Sequence, residues 1–532
     1  MKHARIAGWL LAFFLLAIDA VVQVKAGNSG DKNWLLLTTE MWFQGKKLYV
    51  DLVNPNLPLI FCLYAIPVWV SSHFPVLADY HALAILGFGC TIISIGLCLF
   101  LIRKHPAFTG DTRRQSEFSL LLAYVFVFFV PPSFFFDREH IFLVLTFPYM
   151  LRFMPSLARQ PISLRLRLVI GGLAAVGFCM KPHTIILFAA IEGFYLMRER
   201  SPGILWSIEN GVIYTGTLLY LFCIWHLTPG YVDVVLPILL LTYAACGRQA
   251  MGLVYSFIAM LFASLTFVDF RPRYVTPYRK DVYYFSGICL AFFAYALLNS
   301  GWRYTYMPLL CMLLFLSCWV FWEYGWLRRE HESQGLSTRQ FIFGQRSCAL
   351  NIVFAIAYII YSVLLVPRNP ECPEAAACQV DTRLARFLSD NHIHSFGAVS
   401  MDFNRWTVVA RMSEAQWDTR FNELWMLPKL IKEGPVYTAT HQWVVDYVGR
   451  AYAQDFNRRQ PEVVFVDNSP GFYLYYPHVD LLAFFGVVPE FKEAWRLYRY
   501  TTTIDTCVPG SLRRPLLPSE CKYAIYLRTP ER

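Results

Sequence analysis

Residues 83–102 read LAILGFGCTIISIGLCLFLI and contain no charged side chain. A helix of about 20 residues rises about 30 Å, which is the thickness of the hydrocarbon core of a bilayer. Apolar runs of roughly this length recur from Ala4 to Val366. The chain of 532 residues is 56% hydrophobic and only 16% charged, whereas soluble proteins contain about 25% charged residues. The composition therefore excludes a soluble multidomain enzyme and predicts an α-helical polytopic membrane protein.

Positive charge is concentrated in the first two thirds of the chain. Residues 367–532 carry equal numbers of acidic and basic side chains, so the net charge of +10 arises before residue 367. If the apolar stretch 56–70 crosses the membrane, the basic residues at 103–114 lie outside, against the positive-inside rule. If that stretch lies in the outer interface or re-enters, those residues lie inside. The second alternative predicts about eleven transmembrane helices, a cytoplasmic N-terminus and an extracytoplasmic C-terminus.

A proline interrupts the longest apolar stretch. A single helix over residues 165–197 would be about 50 Å long, well beyond the thickness of the bilayer core. Because Pro182 breaks such a helix, we predict two short helices joined by an outer turn at Lys181-Pro182-His183. The other predicted spans lie near residues 4–24, 83–102, 116–134, 141–157, 203–226, 249–268, 282–299, 304–323 and 348–366.

The charge distribution and the apolar runs divide the chain into two predicted domains. Residues 1–366 form the membrane domain, which includes an outer loop at 25–79, and residues 367–532 form a polar domain outside the membrane. The patterns of the polar domain predict a small mixed α/β fold. Its predicted strands lie near 396–401, 463–467, 495–501 and 523–528, and its predicted helices near 382–391, 441–456 and 479–485.

Four of the 14 cysteines fall in the polar domain. They are Cys372, Cys378, Cys507 and Cys521. Disulfides among them suit an oxidising compartment, and three pairings remain open.

The outer loop contains GNSGDKNWLLLTTEMWFQGKKLYVDLVNPNLPLI at residues 27–60. A helical pattern runs from about Lys32 to Gln44 and ends at Gly45. From the residues alone, an ordinary amphipathic connection explains this loop as well as a functional site does. A functional site would place an acid at the boundary of water and membrane, where partial desolvation makes a carboxylate more basic. Asp31 is the first candidate and Asp51 is the second.

Charged residues occupy two further outer turns. The sequence FFFDREHIF sets four ionisable side chains between two apolar runs, and KPH sets Lys181 and His183 at the same predicted level. Charged groups at membrane depth usually have partners or a function, whereas a solvated interfacial turn is the alternative. We favour a functional site. The four residues of the first turn are Asp137, Arg138, Glu139 and His140.

A third outer turn, GWRYTYMP, holds Trp302, Arg303 and Tyr304. An aromatic belt would explain the aromatic side chains, but an arginine on the outer side indicates anion binding. Together, Arg138, Lys181 and Arg303 predict a site for one phosphate group. The sequence contains no nucleotide-binding glycine loop, and its positive charge does not indicate nucleic-acid binding. An outer phosphate site, an adjacent acid and no nucleotide fold indicate a lipid-linked donor.

These motifs resemble those of the GT-C superfamily of membrane glycosyltransferases. The family pattern is an acid, a short helix, G-x-x-x-Y-x-D and a proline-containing interfacial segment. Here it reads Asp31, the predicted helix, GKKLYVD at 45–51 and NPNLP at 54–58. The aminoarabinose-to-lipid-A transferases and the protein O-mannosyltransferases have similar loops. The REH, KPH and GW-x-Y motifs resemble a bacterial branch of arabinosyl-type transferases.

The resemblance implies an inverting transfer of a hexose or pentose from a polyprenyl-phosphate donor to a hydroxyl group of a glycan, lipid or protein acceptor. Asp31 would be the general base, Glu139 a second catalytic residue, and the three cations would hold the donor phosphate. The implied location is the bacterial inner membrane, with a periplasmic C-terminal domain. A divalent cation between Asp31 and Asp51 is compatible with this chemistry, but no cofactor is required. The implied substrate-binding residues are Asp51, Asp137, His140, His183, Trp302 and Tyr304.

Two other classes of function compete with this interpretation. A transporter or flippase of a lipid-linked or anionic substrate would have polar residues near the middle of its helices and broken helices in paired halves. The sequence contains no paired halves. An assembly or anchoring protein would need only the outer domain, and would not need charged residues in three separate turns.

Overall fold

The computed structural model of the protein is mostly helical, with a small five-stranded sheet in the C-terminal region. This confirms the predicted helical class and the mixed α/β character of that region. The predicted spans 249–268 and 348–366 lie outside the described residues. The described residues are 2–25, 30–197, 202–242, 279–298, 303–334, 376–401, 403–433, 439–469, 471–472, 476–477, 479–505 and 522–529.

Within those ranges, two helices are long and apolar enough to cross a membrane. They are Asp79–Ile102 and Ile208–Leu227. The predicted number of eleven transmembrane helices is therefore not confirmed. Shorter apolar helical segments lie at Phe13–Val24, Pro58–His73, Pro182–Met197, Tyr231–Thr242 and Tyr304–Trp319.

Contacts divide the chain into two compact units, which differ from the two predicted domains. The sequence prediction groups the loop 25–79 with residues 1–366, whereas most of that loop belongs to the same unit as the C-terminal region. Unit 1 comprises Met1–Gly27, Trp69–Phe222 and Arg248–Asn369, and unit 2 comprises Asn28–Val68, Cys223–Gly247 and Pro370–Arg532.

The helix Arg138–Arg152 is the core of unit 1, because every one of its side chains is buried. It packs against the helices Asp79–Ile102 and Leu164–Phe178. A Cβ atom on Gly177 would lie 2.6 Å from the Thr146 side chain, so a glycine is needed where the two helices meet. The helices of unit 1 are Lys2–Lys25, Asp79–Ile102, Thr112–Ala123, Arg138–Arg152, Pro155–Ala158, Leu164–Phe178, Ile185–Met197, Arg279–Leu298 and Arg303–Gln334, with single helical turns at Tyr124–Phe128, Pro132–Phe134, Pro182–Thr184 and Pro202–Trp206.

The predicted break at Pro182 is confirmed. One helix ends at Phe178, a short 3-10 turn covers Pro182–Thr184, and the next helix begins at Ile185. Lys181 is extended, which is the conformation that a following proline favours. The Thr184 hydroxyl lies 2.6 Å from the carbonyl oxygens of both Phe178 and Lys181, and so fixes the turn.

A buried ion cluster joins the end of the core helix to its neighbours. The Glu209 carboxylate is fully buried and accepts hydrogen bonds from Arg152 Nε at 3.1 Å and from Arg167 Nη2 at 2.7 Å. The two arginines compensate the charge of the buried carboxylate. Because the three residues lie on three helices, these ion pairs fix the positions of the helices relative to one another.

Unit 2 is built on a five-stranded sheet of β1 Ser395–Val399, β2 Gln416–Trp417, β3 Val463–Asp467, β6 Tyr498–Asp505 and β7 Lys522–Arg528, and a separate hairpin pairs β4 Gly471–Phe472 with β5 Tyr476–Pro477. The strand order in the sheet is β2-β1-β3-β7-β6. Parallel pairing joins β1 to β2 and β3, whereas β7 runs antiparallel to β3 and β6. All four predicted strands are present, with β6 beginning three residues after the predicted start.

The helices of unit 2 include the three that the sequence predicts in its polar domain. The helices Phe403–Ser413, Leu427–Glu433 and Pro489–Trp495 and the short strand β2 were not predicted from the sequence. The helices are Gly30–Phe43, Leu236–Thr242, Ala376–Asp390, Phe403–Ser413, Leu427–Glu433, Ala439–Arg458, Leu481–Phe485 and Pro489–Trp495; Pro58–His73 and Ile208–Leu227 each have residues in both units.

The segment that the sequence predicts to be an outer loop contributes side chains to the hydrophobic core of unit 2. Its predicted helix is confirmed as Gly30–Phe43 and is followed by Gly45 with a φ of 95°. Met41 and Leu52 share one buried cluster with Phe396, Trp406 and other side chains of the sheet and its helices. The backbone N–H of Val53 also donates a hydrogen bond of 2.9 Å to the Arg420 carbonyl oxygen. The loop is therefore a structural element of this unit.

Candidate functional site

The structure divides the predicted site residues between the two units. The charged turn at 137–140, Lys181, His183 and Tyr304 belong to unit 1, whereas Asp31 and Asp51 belong to unit 2. Trp302 lies outside the described residues. Arg303 begins the helix Arg303–Gln334, and its side chain lies outside the described part of the structure.

The charged turn begins with a constrained backbone. Asp137 is the N-cap of the core helix, and its carboxylate accepts a hydrogen bond of 2.7 Å from the Arg138 backbone N–H. The preceding residue, Phe136, has a φ of 56°, which is rare for a bulky side chain. A Cβ atom on Gly87 would lie 2.8 Å from the Phe136 ring, so this glycine leaves the space that the ring occupies.

The buried His140 side chain forms hydrogen bonds to the backbone on both sides of its ring. The backbone N–H of Phe136 donates to its Nδ1 at 2.8 Å, and its Nε2 lies 2.8 Å from the Phe126 carbonyl oxygen. Since Nδ1 accepts, Nε2 carries the proton and donates to that carbonyl oxygen, so the ring is neutral. The ring is fully buried. These contacts favour a positioning role for His140, and its predicted contact with substrate stays a prediction.

Glu139 and Lys181 form a buried ion pair across the turn. The Lys181 ammonium donates to Glu139 Oε1, and the Glu139 side chain is fully buried. The Tyr295 hydroxyl donates to the same carboxylate oxygen at 3.3 Å. The second oxygen, Oε2, accepts no hydrogen bond from any described residue. The carboxylate therefore fixes Lys181 and keeps one buried acceptor position.

The aromatic ring of Tyr304 lies near two cations, Lys181 and Arg138. The Lys181 Nζ lies 5.0 Å from the centre of its ring, and the Arg138 guanidinium carbon lies 5.8 Å from it. Both distances are within the range of cation–π attraction. Arg138 Nε also lies 3.8 Å from the Asp137 carboxylate. Arg138 and Lys181 therefore both lie near the ring of Tyr304, and each of them also lies beside a carboxylate.

His183 lies half-buried in the turn next to Lys181. Burial lowers the pKa of His183, and the positive charge of Lys181 lowers it further. A neutral imidazole at this position can donate one hydrogen bond and accept another, but it adds no positive charge for a phosphate.

Asp31 lies in the first turn of the helix Gly30–Phe43 and is half-buried. A carboxylate is favourable there because the helix dipole is positive at its N-terminal end. The other end of this helix is tied to the C-terminal region, where Arg411 Nη2 donates to Glu40 at 3.1 Å. The helix therefore holds Asp31 at a fixed place within unit 2.

Asp51 has a structural partner. Its carboxylate accepts hydrogen bonds from Arg459 Nη2 at 2.8 Å and from the Lys47 backbone N–H at 2.9 Å. Burial alone would raise the pKa of Asp51, but the Lys47 hydrogen bond and the Arg459 charge hold it below the ordinary value. A weakly basic carboxylate that binds an arginine is well suited to anchoring the loop and poorly suited to proton abstraction.

The described residues contain no group of three or more His, Cys, Asp and Glu side chains that could hold a metal ion. Arg138, Lys181 and Glu139 of unit 1 form a different kind of site. They place two cations near a buried carboxylate oxygen that can still accept a hydrogen bond. Tyr295, which donates to the other oxygen of the same carboxylate, was not predicted from the sequence. The sequence held no specific signal for it, because the same helix also contains Tyr283 and Tyr284.

The chain matches no protein-family model, and the comparisons found no similar curated protein and no similar solved structure.

Proposed function

We propose that this chain is a polytopic membrane glycosyltransferase that moves a sugar from a polyprenyl-phosphate donor to an acceptor hydroxyl group outside the membrane. The proposal includes about eleven transmembrane helices, a cytoplasmic N-terminus, an outer C-terminal region and a bacterial inner-membrane location. The observation that carries it is the placement of Arg138 and Lys181 over the ring of Tyr304.

The two cations fit the charge that develops during such a reaction. A phosphodiester donor carries one negative charge, and the leaving phosphate gains a second one as the glycosidic bond breaks. Cations that are fixed beforehand stabilise the transition state more than the bound donor, because the added charge is present only there. The structure holds Lys181 through Glu139, so Glu139 acts as a positioning residue for it.

Glu139 has a second role in the proposal. Its oxygen Oε2 is buried and accepts no hydrogen bond from the described residues. A hydroxyl group of the donor sugar would satisfy this atom, and such a bond would orient the anomeric carbon for attack. In the proposed reaction, Asp31 takes the proton of the acceptor hydroxyl, and its role and that of the cation cluster are tested separately.

Another buried cluster favours transport as the second candidate function. The Glu192 carboxylate is 5% exposed and accepts hydrogen bonds from Tyr149 at 3.0 Å and from Asn210 Nδ2 at 2.8 Å. A carboxylate inside an apolar helix is a common feature of proton and ion pathways. A transporter would depend on Glu192 and would not depend on Asp31.

Mass spectrometry of lipids that copurify with the protein tests the donor class. We expect polyprenyl phosphate or its glycosylated form with the wild-type chain, and at least tenfold less with Lys181→Ala. Arg113→Ala is the matched control, because Arg113 is an exposed residue of unit 1. Only bulk phospholipid in wild-type preparations, or equal polyprenyl phosphate in all three proteins, contradicts the proposal.

A turnover assay separates the two functions. The copurified donor is supplied in vesicles with envelope extract as the acceptor, and release of polyprenyl phosphate is measured. We expect Asp31→Asn to abolish release while Glu192→Gln retains it. No release by the wild-type chain favours transport, and undiminished release by Asp31→Asn contradicts the proposed role of Asp31.

A further inference from the structure

Unit 1 carries a group of basic side chains that lies apart in the sequence from the charged turn. They come from two short segments, residues 103–104 and residues 159–165. The Lys104 ammonium donates a hydrogen bond to the Pro161 carbonyl oxygen, and this contact brings the two segments together. Three exposed arginines lie within four residues of Lys104 or Pro161. We call Lys104 and these arginines the basic end of unit 1; the arginines are Arg103, Arg159 and Arg165.

The positive charge of the basic end is not compensated within the described structure. Its three arginines form no ion pair with any described residue. Residues 101–110 and 152–169 contain no acidic side chain. Two buried acids beside these segments already have partners, since Glu209 accepts from two other arginines and Asp281 accepts from the Ser156 hydroxyl. The basic end therefore favours an anionic partner.

Exposed apolar side chains border the basic end. Leu164 and Leu168, on the helix that carries Arg165, are 57% and 44% exposed. Phe100 is 46% exposed, and the Lys104 ammonium lies 6.0 Å from the centre of its ring. A free anion would gain nothing from these apolar groups, whereas a phospholipid brings a charged head group and acyl chains together. The combination favours a lipid over a soluble anion.

We propose that the basic end binds the head group of an anionic phospholipid at the membrane surface. The arginines donate to the phosphate oxygens, and the acyl chains lie against the two exposed leucines and Phe100. Guanidinium groups suit this role because they stay charged and can donate two parallel hydrogen bonds to one phosphate. The inference rests on the proposed membrane location and is independent of the transfer reaction, because it uses no residue of the charged turn.

Native mass spectrometry of the full chain in detergent micelles tests the choice of lipid. The probes are phosphatidylglycerol and phosphatidylcholine with the same acyl chains, which differ in the net charge of the head group. We expect phosphatidylglycerol to bind at least tenfold more tightly. Equal binding of the two lipids would overturn the proposal. A preference for phosphatidylglycerol in a chain that copurifies no polyprenyl phosphate would contradict the proposed transferase and support this inference.

A soluble competitor separates a lipid site from a site for a free anion. Glycerol 3-phosphate has the charged part of the phospholipid without its acyl chains. We expect it not to displace phosphatidylglycerol at equal concentration, because it cannot use the exposed leucines and Phe100. Displacement at equal concentration would assign the basic end to a free anion and contradict the proposal.

The double variant Arg159→Gln/Arg165→Gln tests the location of the site. Both side chains are exposed, so we expect an unchanged midpoint of thermal unfolding and at least a tenfold loss of affinity for phosphatidylglycerol. Replacing both arginines by lysine retains the charge and should cost less affinity. Arg113→Gln is the matched control, because this exposed arginine is already paired with Glu117. Equal affinity of the double variant and this control would place the lipid elsewhere and contradict the proposal.

Discussion

Lys181→Met is the sharpest test of the cation cluster, because it removes the ammonium and retains a side chain of similar length. The Lys181 side chain is 14% exposed, and the Glu139 side chain that it pairs with is fully buried. Breaking a buried pair by removing one partner costs about 3–5 kcal/mol. Tyr295 and Arg138 still face the carboxylate, so we expect about 3 kcal/mol, the lower end of this range.

A second variant distinguishes the loss of the pair from the loss of packing. Lys181→Met combined with Glu139→Gln removes both charges and leaves an amide that Tyr295 can still bind. We therefore expect the double variant to be more stable than Lys181→Met alone by about 1–2 kcal/mol. The exposed pair between Arg113 and Glu117 provides the control, since Arg113→Met should cost less than about 0.5 kcal/mol.

The assay is the unfolding free energy of the purified chain in mixed detergent micelles, followed by circular dichroism. A loss of unfolding free energy in Lys181→Met that is no larger than in Arg113→Met would contradict a stabilising buried ion pair. Such a pair is also refuted if the double variant is as unstable as the single one, because the cost would then lie in packing and not in an uncompensated charge.

Three further predictions concern other contacts. A Cβ atom on Gly230 would lie 2.8 Å from the Tyr49 carbonyl oxygen, so Gly230→Ala should reduce the unfolding free energy by about 1–3 kcal/mol, and an unchanged value contradicts this close approach. The pKa of Asp51 is held low, so its contribution to stability is present above the ordinary carboxyl pKa and is lost as the pH falls. The difference in thermal midpoint between wild type and Asp51→Asn should therefore shrink from about pH 5 to about pH 3. Tyr295→Phe should lower the unfolding free energy by about 1 kcal/mol, because the hydrogen bond to Glu139 is lost while the ring is retained.

Local signals made much of the fold predictable. A proline in the interior of a helix removes a backbone hydrogen bond and clashes with the preceding turn. The helices on either side of Pro182 could therefore be predicted from the sequence. The strand Val463–Asp467 is predicted to the residue because the β-favouring run Val463–Val466 is bounded by polar, turn-forming residues. The helix Phe403–Ser413 was missed because its run Trp406–Ala410 includes β-branched residues that do not favour a helix locally, and its buried side chains form a core only together with the sheet.

The contacts between residues that are distant in the chain could not be predicted from the sequence. The sequence predicts that Arg138 and Lys181 are close enough to hold one phosphate, and the structure brings both to the ring of Tyr304. It did not predict that Glu139 takes Lys181 as its partner, or that Tyr295 joins them from a helix 156 residues away. Charges at equal predicted depth have many possible pairings, and only packing selects one of them.

Asp31 and Asp51, the two acids of the predicted outer loop, show that the role of an acidic residue depends on its partners. Asp31 and Asp51 have similar claims as a general base from the sequence, but Arg459, 408 residues further along the chain, neutralises Asp51. Met41 and Leu52 anchor the loop in the core of unit 2, and Met41 lies about 15 Å along the helix axis from Asp31. Burial of these side chains contributes about 1.5–3 kcal/mol each, which is comparable to the cost of ordering a few residues of backbone. The C-terminal region is therefore needed to hold the helix that carries Asp31, and its function includes this positioning whatever the acceptor is.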